Sequence, residues 1–190
     1  MKTLILLSAI VLLNSFLHAQ WVPTNGPNEK TITALAVKGS NIFAATYEDG
    51  VYRSTNMGTN WSQINNGLSA NRITSFAIIG DNVFVGTNGD GIFLSTNNGS
   101  NWNAVNNGLN GFYIRQIVVD ETKLFAVTDG GTFISTDNGT SWTEIITPGN
   151  NNPSIAIKGE NIFISDFMYG VFVSNNNGLN WNLIHLHCYV

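Results

Sequence analysis

Four copies of one eight-residue motif constrain this chain more than any other feature. They are Ser54–Trp61 (STNMGTNW), Ser95–Trp102 (STNNGSNW), Ser135–Trp142 (STDNGTSW) and Ser174–Trp181 (SNNNGLNW). Their tryptophans follow one another at 41, 40 and 39 residues, and Trp21 stands 40 residues ahead of the first. A fixed period of this size means a repeat architecture, in which each unit buries its apolar face only against its neighbours.

The second repeat shows what one unit is. Ile73–Ile79 (ITSFAII) predicts a first strand, a, and Val83–Thr87 (VFVGT) a second, b, after a Gly80-Asp81-Asn82 turn. Ile92–Ser95 (IFLS) predicts strand c and Trp102–Val105 strand d, with the motif turning the chain between them. Short β-branched and aromatic runs bounded by Asn, Asp and Gly read as a four-stranded antiparallel meander. Strand b is expected to place Phe43, Phe84, Leu124 and Phe163 at one position, with small Ala45, Gly86, Ala126 and Ser165 two residues on. Strand c aligns Tyr52, Phe93, Phe133 and Phe172, each preceded by a glycine. Large beside small at fixed places lets one sheet pack face-on against the next. The expected fold is all-β: a β-propeller of about four blades at residues 31–64, 72–105, 113–146 and 153–184.

The motif has a physical role of its own. Asn56, Asn97, Asp137 and Asn176 are expected to accept hydrogen bonds from turn N–H groups. Gly58, Gly99, Gly139 and Gly178 are expected to be left-handed. Ser54, Ser95, Ser135 and Ser174 open the turns, and Trp61, Trp102, Trp142 and Trp181 fold back onto the sheet.

With its surrounding blade, the motif resembles the Asp-box (BNR repeat) of secreted β-propellers, a group that includes sialidases, xyloglucanases, sortilin-type receptors and photosystem II assembly-factor propellers. The resemblance implies a structural box between the third and fourth strands, away from any active site. Three of the four boxes carry Asn where Asp is usual, which keeps an acceptor and removes the charge. A sialidase would need an arginine triad, a Tyr–Glu nucleophile pair and an Asp acid. The only arginines are Arg53, Arg72 and Arg115, and Arg53 sits mid-strand where other blades have Leu94, Ile134 and Val173. Sialidase activity is therefore not expected, and no carboxylate pair matches the xyloglucanase pattern.

Composition narrows the setting. Eight Lys and Arg residues and a net charge of −4 argue against a nucleic-acid partner. Met1 to Ala19 reads as a signal peptide, with a basic start and an apolar run from Leu4 to Leu13 too short to span a membrane. The mature chain is expected to begin near Gln20, without a membrane span, in a secreted, periplasmic or cell-surface setting. The lone Cys188 excludes an internal disulfide. His185, His187 and Cys188 share the tail, but no further ligand completes a zinc site, so neither metal nor cofactor is expected.

Blade accounting leaves one strand over. Trp21–Thr24 reads as a d strand ahead of four full repeats. Either later blades of a longer propeller are missing, or the four blades close or self-associate as they stand. Further blades or another chain would then complete the ring. The IHLHCYV tail, which abandons the repeat pattern, points to the first alternative.

The d–a and b–c loops should share one face, where function is expected. The b–c loops offer Tyr47, Glu48 and Asp49, then Asn88 and Asp90, then Asp129, then Asp166, Phe167, Met168 and Tyr169. The d–a loops offer Phe112 and Tyr113, and Arg115 begins an inner strand with Ala34, Ser75 and Ser154 as its expected counterparts. The d–a loops also offer Asn65, Asn66, Asn71 and Arg72, then Asn110, then Asn150 to Asn152. Aromatic rings among Asn and Asp suit a protein or carbohydrate ligand. The expectation is a secreted, non-catalytic binding module. The alternative is a glycosidase, or a fragment of one, using a pair of loop carboxylates.

Overall fold

The computed structural model describes residues 24–27, 29–148, 154–166 and 169–184. The leader, Trp21, Phe167, Met168 and the His185–Cys188 tail lie outside the described residues.

Four antiparallel sheets of four strands each follow one another along the chain. The first comprises β1 (Ile32–Lys38), β2 (Asn41–Thr46), β3 (Val51–Ser54) and β4 (Ser62–Gln63). The second comprises β5 (Ile73–Ile79), β6 (Asn82–Thr87), β7 (Ile92–Ser95) and β8 (Asn103–Ala104). The third comprises β9 (Ile114–Asp120), β10 (Lys123–Thr128), β11 (Gly131–Ser135) and β12 (Thr143–Ile145). The fourth comprises β13 (Ile155–Lys158), β14 (Asn161–Asp166), β15 (Gly170–Ser174) and β16 (Asn182–Ile184). Each sheet is a plain meander in the order a-b-c-d.

The motif turn is built the same way four times. The serine hydroxyl donates to Oδ1 of the residue two on, at 3.0, 2.9, 2.8 and 2.9 Å in chain order. That Oδ1 also accepts the N–H of Asn60, Asn101, Ser141 or Asn180, at 2.9 to 3.0 Å. The serine Oγ in turn accepts the glycine N–H at 2.8 to 2.9 Å. An amide oxygen makes both acceptor contacts, so Asn serves as well as Asp. The glycines are left-handed, with φ from 78° to 85°. So are Met57, Asn98, Asn138 and Asn177 just before them, with φ from 55° to 57°, a feature the motif did not announce.

The tryptophans do more than fold back onto their own sheet. The indole N–H of Trp102 donates to the Ile64 carbonyl (2.7 Å), that of Trp142 to Val105 (2.8 Å), and that of Trp181 to Ile146 (2.9 Å). Each acceptor lies at the end of the preceding sheet's fourth strand. The backbone N–H groups of Trp102 and Trp142 also donate to Asn66 and Asn107, both at 2.9 Å. The second, third and fourth boxes are thereby tied to the sheet before them, whereas the Trp61 indole donates to Gly58 of its own box (3.1 Å).

Face-to-face packing fills the space between sheets with three apolar clusters. Phe43, Ala45 and Val51 meet Val83, Val85, Phe93 and Trp102. Ala77, Phe84 and Ile92 meet Ile117, Leu124, Phe133 and Trp142. Phe125, Val127 and Ile145 meet Ile155, Ile162 and Ile164. Full burial of each such side chain contributes about 1.5–3 kcal/mol.

Two sequence alignments need correction by one residue. Phe125, not Leu124, shares the position of Phe43, Phe84 and Phe163: it pairs with Ile134 as they pair with Arg53, Leu94 and Val173. Large-then-small spacing fits Leu124/Ala126 and Phe125/Val127 alike, and only pairing separates them. The slip reverses every side chain, so Leu124 faces the second sheet and Phe125 the fourth. Likewise Gln116, not Arg115, matches Ala34 and Ser75. Arg115 is the extra residue of a β-bulge, as Thr33 and Thr74 are in the first two sheets.

Two consequences are measurable. Ser95→Ala strands the buried Gly99 N–H and should lower unfolding free energy by about 1–3 kcal/mol in a denaturant titration. Asp137 is held below its ordinary value of 3.8 by the Ser141 hydroxyl, the Ser141 N–H and the Ser135 hydroxyl, in that order. Its folded value lies below its unfolded one, so its contribution is complete above the unfolded value and is lost as pH falls through the folded one. Any stability advantage of wild type over Asp137→Asn at pH 7 should therefore begin to shrink as pH falls below about 4 and be gone only below the folded value. A gap that stays constant from pH 7 to pH 3 would refute this.

Candidate functional site

The loop face starts from one buried residue per sheet. Thr46, Thr87 and Thr128 end the second strands and are buried. Their hydroxyls donate to the carbonyls of Gly50 (2.9 Å), Gly91 (2.8 Å) and Gly131 (3.1 Å). They also accept the N–H of Asp49 (2.9 Å), Asp90 (3.0 Å) and Gly130 (2.9 Å). Asp166 takes this place in the fourth sheet: it is buried, and its Oδ1 accepts the Tyr169 N–H at 2.9 Å. Each b–c loop is thus pinned from below, with its tip turned outward.

Asparagines after the fourth strands pin the loops from the side. Asn65 Oδ1 accepts the Val51 N–H (2.8 Å) and its Nδ2 donates to the Asp49 carbonyl (2.8 Å). Asn106 does the same for Ile92 (2.7 Å) and Asp90 (3.1 Å). A Cβ on Gly91, at φ 80°, would collide with the Asn106 amide, so glycine is required there.

Neighbouring d–a loops then lace the tips together. Gly89 and Gly91 N–H donate to the Phe112 carbonyl at 3.1 and 3.0 Å, and Tyr113 bridges to Asn88. Asp129 Oδ1 accepts the Tyr113 N–H at 3.1 Å, and the Asp129 N–H returns to the Tyr113 carbonyl at 3.1 Å. Asp49 Oδ2 pairs with Lys30 at 2.9 Å, a contact that raises the Lys30 pKa. The Arg72 guanidinium lies 4.9 Å above the Tyr47 ring, worth about 0.5–1 kcal/mol at an exposed site.

This framework sorts the expected site residues. Tyr47, Phe112, Tyr113 and Tyr169 are 43%, 45%, 54% and 59% exposed and form an aromatic set on one face. Glu48, Asp90 and Asp129 are exposed beside them, Asn88 is half-buried, and Arg115 is exposed at its bulge. Asp49, Asp129 and Asp166 each hold loop backbone or a lysine. Arg72 was read as a d–a loop residue without its ring partner, and Lys30 was not singled out, because these partners lie 25 and 19 residues away in sequence. On the opposite face a cleft of about 260 Å³ opens between the third and fourth sheets, lined by Lys123, Ile134, Thr136, Ser141, Thr143 and Asn177. Among the described residues, no group of three or more His, Cys, Asp and Glu side chains is placed to hold a metal. No described helix is long and apolar enough to cross a membrane.

The family model of the BNR/Asp-box repeat matches residues 133–144, the third box and its flanks. The fold is an Asp-box β-propeller. No curated protein matches the sequence. Among solved structures, an ancestral GH74 enzyme is 24% identical, with a TM-score of 0.67, over 86% of this chain and 25% of that one. The extracellular domain of a hybrid two-component system from B. thetaiotaomicron is 19% identical, with a TM-score of 0.65, over 80% of this chain and 23% of that one. The computationally designed Ika4 protein is 11% identical, with a TM-score of 0.64, over 81% of this chain and 96% of that one. The Asp-box chain therefore spans about a quarter of the first two structures and nearly all of the third. At these identities the likeness is one of fold.

Replacing Asn106 with Ala leaves the part-buried Ile92 N–H without its acceptor and should cost about 1–3 kcal/mol in denaturant unfolding. Changing the exposed Asn107 to Ala should cost under about 0.5 kcal/mol. Equal losses would mean that Asn106 does not pin the loop.

Proposed function

We propose that this chain is a secreted, non-catalytic module that binds a protein or glycan through its d–a/b–c loop face. The supporting observation is the exposed set of Tyr47, Phe112, Tyr113 and Tyr169 on a hydrogen-bonded loop framework. Held rings lose little freedom on binding, and they stack on apolar sugar faces or on side chains. Asn88, Glu48, Asp90 and Asp129 supply directional polar contacts beside them. Phe167, two residues before Tyr169 in sequence, is assigned by that position to the same proposed surface, as is Arg115 from its exposed bulge. The signal-like leader and the extracellular setting of one fold relative are consistent with a ligand met outside the cytoplasm.

A second reading is a glycosidase or a part of one. It rests on the fold likeness to a GH74 enzyme and on the exposed carboxylates of Glu48 and Asp90 on the same face. One experiment separates the two. The protein is titrated against a panel of neutral polysaccharides and immobilised peptides, and release of reducing ends is followed in parallel. Binding should saturate without turnover, and Tyr113→Ala or Tyr169→Ala should weaken it about tenfold. Turnover that disappears in Glu48→Ala or Asp90→Ala would replace the binding module with the hydrolase. Affinity untouched by every loop-face change would move the site elsewhere.

A further inference from the structure

The two end sheets carry the two halves of the joint that the interior forms three times. In each interior joint, the face of one sheet bearing Phe43, Phe84 or Phe125 covers the opposite face of the next. Those phenylalanines are 0%, 0% and 1% exposed. Phe163 holds the same position in the fourth sheet, yet it is only half-buried, as are Val171 and Val173 on its face. At the other end, Leu35 and Val37 are each 66% exposed. The Leu35 counterparts Ile117 and Ile155 are buried in interior joints, and the Val37 counterparts Ile78, Val119 and Ile157 are half-buried against the same clusters.

We propose that a second copy of this chain covers both ends, the fourth sheet of each copy packing on the first sheet of the other to close a ring. The complementary halves lie on one chain, so two copies satisfy both joints at once and leave no free end. The polar contact at such a joint would be weaker than inside the chain. Lys38 crosses the first interior joint to the Asp81 carbonyl (2.7 Å) and carboxylate (3.1 Å). Lys158 occupies the same register position and is exposed, and the turn it would meet on a second copy holds Ser40 in place of Asp81. The near-complete match to the length of the designed Ika4 chain shows that an arc of this size occurs as a separate polypeptide.

One outer strand is surplus at each joint. Thr24 packs against Gly58 as Ile64 does against Gly99 and Ile145 against Gly178, so Thr24 already holds the position that follows a preceding sheet's fourth strand. Asn182–Ile184 is exposed throughout and is the strand that gives way.

The test is the mass of the full chain, expressed with its leader, by light scattering at micromolar concentration. A dimer is expected. Phe163→Asp and Val37→Asp should each give folded monomers, and mixing the two should restore a 1:1 pair, because each keeps the half the other has lost. A cooperatively folding wild-type monomer, or a dimer indifferent to both substitutions, would overturn the proposal and leave these ends to further blades or another protein. Should the aspartates prevent folding, the exposed pair Ser40→Cys and Lys158→Cys, with Cys188→Ser, decides the matter. A short bis-maleimide should then yield a covalent dimer, and a product that stays monomeric refutes the joint.

Discussion

The donation from a tryptophan indole to the carbonyl of the preceding sheet is the interaction the rest of this fold depends on. A four-stranded sheet of this size cannot bury its faces alone, so its stability lies in the joints. Apolar packing supplies most of that energy but tolerates sliding. The indole N–H does not, because a buried donor that misses its acceptor costs about 1–3 kcal/mol. The box exists to aim that indole: serine, Asx oxygen and left-handed glycine fix a turn whose next rigid residue is the tryptophan. The side chain after the box glycine varies, as Thr59, Ser100, Thr140 and Leu179 show, and it plays no part in the aim.

The architecture was legible because the box repeats with its blade, and four copies average out local ambiguity. What escaped is what pairing alone decides. Leu124 and Phe125 are both large, apolar and followed two residues later by a smaller side chain, so periodicity could not choose between them. Arg115 was misplaced because a bulge adds a residue that leaves no compositional mark when it is Thr, Thr or Arg. The indole's direction was equally hidden, since a sequence shows that a tryptophan is present but not which sheet accepts its proton.

The candidate site was legible as a face and less so as residues. Tyr47, Phe112, Tyr113 and Tyr169 are each exposed on the loops. The acidic residues divide in a way composition could not show. Asp166 replaces a threonine as a buried turn acceptor, and Asp129 captures the backbone of the adjoining loop. Asp49 is tied to Lys30, and only hydrogen-bond partners separate these from the outward-facing Glu48 and Asp90. Asparagine is what fixes the loops: Asn65 and Asn106 each serve one donor and one acceptor at once.

The left-handed residue before each box glycine bears on how the chain ages. Asn98-Gly99, Asn138-Gly139 and Asn177-Gly178 are the dipeptide in which asparagine most readily deamidates, by attack of the glycine nitrogen on the asparagine side-chain carbonyl. Here that nitrogen donates its hydrogen to a serine oxygen, so the proton that cyclisation must remove is already engaged. The hydrogen bond that shapes the turn thus also opposes its chemical decay.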